Sequence, residues 1–428
     1  MTPAARLQTI IELIDEVLAS DRPADAVIAK YFRDRRFIGG GDRRSVSDQT
    51  WRILRSRAQL MWALGTDQVT GRLFIAADLA RNEKKTVDAI AGVFSGAKHG
   101  PHPLSSNERR MAERAGERKT EIPREAKLEC PAWLLAKFAA AFGADADKEV
   151  AALNIEAQLD VRANTLKTTR EAVLAGLQAE GMRATIMPIA PFGVRVDGRM
   201  NLATNSSFRD GEFEVQDEGS QICAGLADAR PGQAVMDYCA GAGGKTLAIA
   251  AAMQNKGRLI ACDVNIKRLE RSKIRLRRAK VHNATLRVLE ERDKWVKRQA
   301  GTFDRVVVDA PCSGTGAWRR NPDARWRFAP EHLERLKTTQ DTLLDETSTL
   351  VKAGGRLVYI TCSMLPEENS ERVNAFLERN TAFRPVPVSS VWAEVFTTPP
   401  LTDETFLTLT PARNGTDGFF IAILERTS

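Results

Sequence analysis

Two apolar runs in this chain end in a thiol. Val306-Val307-Val308-Asp309-Ala310-Pro311-Cys312-Ser313 reads as a buried strand that closes on a carboxylate, a rigid proline turn and a cysteine. Leu357-Val358-Tyr359-Ile360-Thr361-Cys362-Ser363 closes the same way. A thiolate is the strongest side-chain nucleophile near neutral pH, and a neighbouring acid can protonate what it attacks. Cys312, Cys362 and Asp309 together therefore suit covalent addition to an electron-poor ring. The other cysteines, Cys130, Cys223, Cys239 and Cys262, are scattered without a CxxC pairing. With only four histidines besides, no metal site is expected.

A second constellation lies upstream. Asp237-Tyr238-Cys239-Ala240-Gly241-Ala242-Gly243-Gly244-Lys245-Thr246 follows an apolar strand and opens a helix. Three ligands suit such a loop. The phosphate-cradling GxxxxGK[ST] pattern fits from Cys239 to Thr246 except at its first glycine, where Cys239 stands. The dinucleotide pattern GxGxxG would need a glycine at Thr246. S-adenosylmethionine carries no phosphate; it needs close backbone approach for its amino-acid end and an acid on its ribose hydroxyls. Asp263, at the end of the next strand, is placed for that second task.

The elements that must hold these residues are strand–helix repeats. Ala234–Asp237, Arg258–Asp263, Val306–Asp309 and Arg356–Thr361 are apolar strands, each followed by a loop and a helical run. That is the grammar of an open, mostly parallel sheet with ligands at the carboxyl ends of its strands. Phe406–Leu409 and Phe419–Leu424 flank Asn414-Gly415 and predict a terminal antiparallel β-hairpin. Residues 1–94 read as helices, with Leu7, Ile10, Ile11, Ile14, Val17 and Leu18 at helical spacing. Asp42 is the expected cap of the helix after Gly39-Gly40-Gly41. Residues 95–130, rich in charge, Gly and Pro, predict a linker. Residues 131–215 predict a small α+β domain, and residues 216–428 the sheet domain.

A chain of 428 residues with 43% apolar content can bury several cores. No run approaches the ~20 apolar residues of a bilayer span. The first residues open no charged-then-apolar segment, so the expected place is the cytoplasm. The net charge of +8 favours a polyanionic partner. Asn265–Lys280 concentrates it on one helix, with Ile266, Leu269, Leu276 and Ala279 as the face packed on the sheet. Trp318–Arg327 alternates guanidinium groups with indoles, which suits phosphate pairing and stacking on unpaired bases. The plainer alternative is a lid in which the tryptophans pack inward.

Taken together, these residues resemble the Sun/NSUN-type RNA cytosine-C5 methyltransferases, and among them the bacterial RsmB-like branch. The resemblance rests on Cys239 to Thr246, Asp309 to Gly316, Arg320-Asn321-Pro322-Asp323, Thr361-Cys362-Ser363, Pro366-Glu367-Glu368-Asn369 and Asp417-Gly418-Phe419-Phe420. Arg162-Ala163-Asn164-Thr165-Leu166-Lys167 and Gln216-Asp217-Glu218-Gly219-Ser220 extend it upstream, so it spans about residues 130–428. Residues 1–90 resemble more loosely a NusB-like helical domain. Two departures stand out. Gly241-Ala242 replaces the family's Ala-Pro, and Leu289 stands where an acid is expected near the adenine, with Glu290 and Glu291 beside it.

The resemblance implies an α/β fold. A Rossmann-like methyltransferase sheet would follow a small RRM-like domain and an all-α NusB-like RNA-binding domain. It implies methyl transfer from S-adenosyl-L-methionine to carbon 5 of cytidine in RNA, with small-subunit ribosomal RNA ahead of transfer RNA as substrate, by a monomer without metal. It implies Cys362 as the nucleophile, Cys312 as the thiol that assists release, and Asp309 at ring nitrogen 3; the chemistry alone does not say which thiol attacks. Cofactor contacts are expected from Cys239, Ala240, Gly241, Ala242, Gly243, Gly244, Lys245, Asp263, Glu290 and Asp309. RNA contacts are expected from Arg162, Asn164, Arg319, Arg320 and Arg325. From other classes, a P-loop nucleotide hydrolase and an inactive RNA-binding protein are the rivals, and neither needs two strand-tip thiols.

Overall fold

The computed structural model describes residues 1–290 and 293–428. The chain forms two compact units, one of residues 1–155 with 318–329, the other of residues 156–317 with 330–428. Among the described residues, no helix is long and apolar enough to cross a membrane.

The first unit is helical. Pro3–Leu18 starts at Thr2, whose hydroxyl accepts from the Ala5 N–H at 3.2 Å. Its Ile10, Ile11, Leu13, Ile14 and Val17 share a buried face. The helix after the three glycines is Gly40–Arg55 with Gly39 at its cap, so Asp42 sits in the first turn instead of capping. Its charge still complements the helix dipole there.

Residues 95–130 are not a linker. Ser105 and Glu108 form a reciprocal capping box at the start of Ser106–Glu117. Glu108 also pairs with Arg72 at 2.7 Å, and Ala112 and Ala115 are fully buried in the helical core. A buried face made of alanine carries little hydropathy, so the segment reads as polar although it packs. Ala132–Phe142 and Ala146–Ala152 group with this unit by their contacts, and the first strand of the α+β region is Leu159–Ala163.

The second unit carries two sheets. The smaller is antiparallel: β1 (Leu159–Ala163), β2 (Arg183–Ile186), β3 (Gly193–Asp197) and β4 (Phe213–Val215), ordered β2-β3-β1-β4. This is the ferredoxin-like split βαβ order, with the helix Arg170–Ala179 after β1 and a single turn, Ser206–Arg209, in place of the second helix.

The larger sheet has β5 (Ala234–Asp237), β6 (Arg258–Asp263), β7 (Ala284–Val288), β8 (Phe303–Asp309), β9 (Val351–Thr361), β10 (Phe383–Val386), β11 (Leu407–Leu409) and β12 (Phe419–Arg426). Its order is β10-β12-β9-β8-β5-β6-β7, and β11 pairs with β12. From β5 to β9 every pairing is parallel. The chain runs outward from β5 to β7, then returns to β8 on the other side of β5. Strand order therefore reverses between β5 and β8, where open α/β sheets bind ligands. The terminal hairpin pairs Leu407 with Ile421 and Leu409 with Phe419. It is closed by a helical turn, Pro411–Asn414, and by Gly415 at φ +70°.

Ala115→Asp would place an unpaired charge in the helical core and should cost about 3 kcal/mol or more in urea unfolding. Glu113→Ala, on the exposed face of the same helix, should change stability by less than about 0.5 kcal/mol. Equal effects would show that the segment does not pack.

Candidate active site

The carboxyl ends of the adjacent parallel strands β5, β6, β8 and β9 lie along one edge of the sheet. After β5 the chain turns through Gly241 at φ +55° and Gly243 at φ +82°, left-handed conformations that favour glycine. A Cβ on Gly243 would also lie 2.3 Å from the Ser272 hydroxyl, so this glycine is required twice. The Gly241 N–H donates to Asp263 Oδ2 at 2.8 Å, and the Asn265 N–H donates to Asp263 Oδ1 at 2.7 Å. Asp263 thus ties the glycine loop to the tip of β6. At Gly241 and Gly244 no atom of the described residues lies within 4 Å of where a Cβ would stand. That open cradle beside Asp263 fits the amino-acid end and ribose of S-adenosylmethionine.

Asp237, at the tip of β5, is fully buried. Its Oδ2 accepts from the Thr246 hydroxyl at 2.6 Å, whereas its Oδ1 has no hydrogen-bond partner among the described residues. Burial pushes this carboxyl up to about 7. Lys245 is buried as well, with its Nζ 2.7 Å from Asp309 Oδ2. Burial is the largest single influence and works against the ammonium, but the charge and hydrogen bond of Asp309, together with the nearby thiols Cys223 and Cys362, hold Lys245 above the usual lysine range. The sequence put Lys245 with the cofactor loop; the structure joins it to the acid at the tip of β8.

The two thiols meet: Cys312 Sγ and Cys362 Sγ are 3.4 Å apart. Both are half-buried. Backbone bonds stitch their loops, with Gly316 N–H donating to Cys362 O at 2.9 Å and Gly418 N–H to Gly316 O at 2.9 Å. The approach of Gly316 to Gly418 is so close that a Cβ on Gly316 would stand 2.2 Å from the Gly418 carbonyl oxygen. The sulfur–sulfur hydrogen bond and burial push the Cys312 thiol well up from its ordinary range. Cys239, in the glycine loop, is raised chiefly by burial. Cys130, Cys223 and Cys262 are buried inside their units.

Glu368 is the group that reading by spacing missed. It is fully buried and accepts from Ser313 N–H at 2.8 Å and Gln340 Nε2 at 3.0 Å. The only sequence signal was its place in Pro366-Glu367-Glu368-Asn369, which carries no role by itself. Glu290 is exposed beside buried Leu289, whose N–H donates to Asp263 O at 3.0 Å. Glu291 lies outside the described residues.

Four of the five expected RNA contacts are buried. Arg162 is buried, its Nε donating to Gln216 Oε1 at 2.7 Å, and burial pushes it down to about 10. Asn164 Nδ2 donates to Gly211 O at 2.8 Å and Ala279 O at 2.9 Å, which docks the small sheet on the helix Ile266–Arg278. In the helical unit Arg325 is buried and donates to the carbonyls of Glu129 at 2.8 Å and Leu153 at 3.2 Å. Trp318 is buried beside Phe138, Arg319 is buried, and Arg320 alone of the five keeps partial exposure. These side chains hold the fold, so the inward-packing alternative describes this segment. Along Ile266–Arg278, Lys267, Arg268, Arg271, Lys273 and Arg277 are exposed, as is Ile266, which was expected on the packed face.

Comparison with known proteins agrees with this geometry. A family model described as 16S rRNA methyltransferase RsmB/F matches residues 225–425. A second, described as the Methyltr_RsmF/B-like ferredoxin-like domain, matches residues 130–203. The probable ribosomal RNA small subunit methyltransferase B of Synechocystis sp. is 33% identical over 298 residues, covering 69% of this chain and 66% of that protein. The Bacillus subtilis protein of the same name is 33% identical over 301 residues, with the same coverage. The chain thus spans just under two thirds of the length of these curated relatives. The crystal structure of PH0851 superposes with a TM-score of 0.81 at 26% identity, covering 100% of this chain and 99% of that one. The structure of NSun6 from Pyrococcus horikoshii with SFG shares the fold, with a TM-score of 0.60 at 20% identity over 70% of this chain and 98% of that one.

Arg325→Met keeps much of the buried volume but removes the donors to two buried carbonyls, and should cost about 3 kcal/mol in urea unfolding. A lower RNA affinity with an unchanged unfolding midpoint would return Arg325 to the RNA-contact reading.

Proposed function

The chain belongs to the RsmB/F family of methyltransferases, and from that premise we propose that it methylates carbon 5 of a cytidine in small-subunit ribosomal RNA through a covalent cysteine adduct. One observation carries the reading: two thiols 3.4 Å apart at strand tips, one of them three residues beyond an acid, Asp309, that is paired with Lys245 of the glycine loop. Neither a nucleotide hydrolase nor an inactive binding protein has a use for that pair.

S-adenosylmethionine, when bound, supplies an electrophilic methyl group on a sulfonium sulfur. Gly241, Gly243, Gly244 and Asp263 are the residues that would hold it. Carbon 5 of cytosine is too weak a nucleophile to be methylated unaided. Addition of the Cys362 thiolate to carbon 6 makes carbon 5 enamine-like. Ring nitrogen 3 takes a proton from water as the thiolate adds and returns it when the thiolate leaves; the Asp309 carboxylate accepts from the exocyclic amine and from that N–H, and Lys245 fixes the carboxylate in place. After methylation, water takes the carbon 5 proton, the carbon 5–carbon 6 double bond re-forms and Cys362 leaves as the thiolate; the protonated Cys312 thiol, 3.4 Å away, assists release by donating its S–H to that departing sulfur. The base must leave any stack to reach the crevice, so an unpaired target suits the site. The exposed cations of Ile266–Arg278 offer a surface for its backbone.

Cys362→Ala should abolish turnover, while Cys312→Ala should accumulate an RNA–protein adduct that survives a denaturing gel. Normal turnover by Cys312→Ala without any adduct would refute this division of labour. Bisulfite sequencing of total RNA from cells with and without the protein should show one cytidine mark lost from small-subunit ribosomal RNA. A mark lost only from transfer RNA would move the substrate.

A further inference from the structure

We propose that Glu368 is the positioning residue of the thiol pair: its carboxylate clamps the Cys312 loop to the Cys362 loop, and its charge keeps the proton on Cys312 so that Cys362 is the thiol that ionises. The inference deepens the proposed reaction and rests on its assignment of Cys362 as nucleophile.

The clamp is geometric. Glu368 closes the turn Pro366–Glu368 and is fully buried. One oxygen accepts from the Ser313 N–H and from Gln340 Nε2, at 2.8 and 3.0 Å. The other accepts from the hydroxyls of Ser313 and Ser363. Ser313 follows Cys312 and Ser363 follows Cys362, so a single carboxylate grips the residue next to each sulfur. All four donors are neutral side-chain or backbone groups, which satisfy the carboxylate without cancelling its charge. Gln340 binds the Pro311 carbonyl as well, at 2.9 Å, which fixes the Cys312 loop from the helix Pro330–Ser348.

The surrounding charges are unequal. Cys312 faces Cys362, Glu368 and Tyr359, whose hydroxyl donates to the Glu368 carbonyl at 2.7 Å. Beyond Tyr359 lie Asp341 and Arg372, paired with each other at 2.7 Å. Cys362 faces Cys312, buried Cys223 and the Lys245 ammonium, itself held by Asp309. Cys312 therefore faces a carboxylate that has no cation bonded to it, whereas the cation that acts on Cys362 is one that Asp309 already pairs. Two thiols in contact cannot both ionise readily, and this gradient decides which one does. The Cys312 thiol is displaced upward first by its bond with Cys362, then by burial and by the charges of Cys362 and Glu368.

The test needs neither RNA nor cofactor. Full-length protein is exposed briefly to iodoacetamide between about pH 6 and 10, and the alkylated cysteines are quantified by peptide mass spectrometry. Wild type should react at Cys362 first. Glu368→Gln keeps the side-chain shape and removes the charge; the Cys362 to Cys312 ratio should fall about tenfold, with Cys312 reacting at lower pH. Glu368→Asp keeps the charge on a shorter arm; it should retain the preference for Cys362 and slow methyl transfer. An unchanged ratio in Glu368→Gln, parity in Glu368→Asp, or preferred alkylation of Cys312 in wild type would each overturn the proposal. Thermal melts confirm folding, and if Glu368→Gln does not fold, the wild type and Glu368→Asp ratios decide. An unchanged ratio in Glu368→Gln would leave the methylation reading standing, and a failed methylation assay would leave the alkylation result standing.

Discussion

Lys245 is a buried ammonium, and Asp309 is the carboxylate that meets it at 2.7 Å. A charge removed from water must be paired or the fold loses several kcal/mol, so these two residues cannot be placed independently. Lys245 sits in the first turn of the helix Gly244–Ala252 and Asp309 ends β8. Their contact locks the glycine loop to the loop that carries Cys312. Parallel pairing sets the heights of the strand tips: Met236 lies opposite Val306, and Val308 opposite Tyr359. With the tips level, a thiol three residues beyond Asp309 and another one residue beyond Thr361 come within contact distance.

The sequence disclosed the parts of this arrangement that depend on local pattern. Apolar runs ending in Asp237, Asp263, Asp309 and Thr361 became neighbouring parallel strands, because a strand buried on both faces has a continuous apolar signature. The terminal hairpin was readable from its two apolar runs and the Asn-Gly pair, although its closure is a helical turn. What escaped was set by distant partners. Arg325 looked like a phosphate ligand because alternating Arg and Trp suits RNA and a structural anchor equally well. Its acceptors, the carbonyls of Glu129 and Leu153, are 196 and 172 residues away in sequence. Glu368 escaped for the same reason, since the backbone amide it holds, that of Ser313, is 55 residues upstream.

Polar residues also join the two sheets of the second unit. Glu214 on β4 is buried and pairs with Arg275 at 3.1 Å and with Arg278. Arg275 in turn donates to the Ala242 carbonyl at 2.8 Å. The small sheet thus reaches the glycine loop through a carboxylate and a guanidinium, with Asn164 bonded to Ala279 alongside. Such a junction has directional geometry, which an apolar seam lacks, and truncating either partner leaves a buried group unpaired. This accounts for Arg162 and Asn164 lying inside the fold. Their motif forms part of the joint between the sheets.

The charge around the glycine loop separates the ligands that its sequence left open. Asp237, Asp263 and Asp309 surround it, and Lys245 is the cation it places beside them. Burial raises Asp237 to about 7, so near neutral pH it is partly uncharged. Asp263 and Asp309 still outnumber Lys245, whose ammonium already faces Asp309, and the Arg275 guanidinium on the Ala242 carbonyl is itself paired with Glu214. A polyphosphate would bring several negative charges against this excess at a range where screening by water is weak. The lysine that a phosphate loop keeps free for its ligand is here directed to a carboxylate. A sulfonium ligand reverses the sign of the interaction and gains from the same carboxylates. The loop that came closest in sequence to a phosphate cradle is therefore, by its electrostatics, a site for a cation.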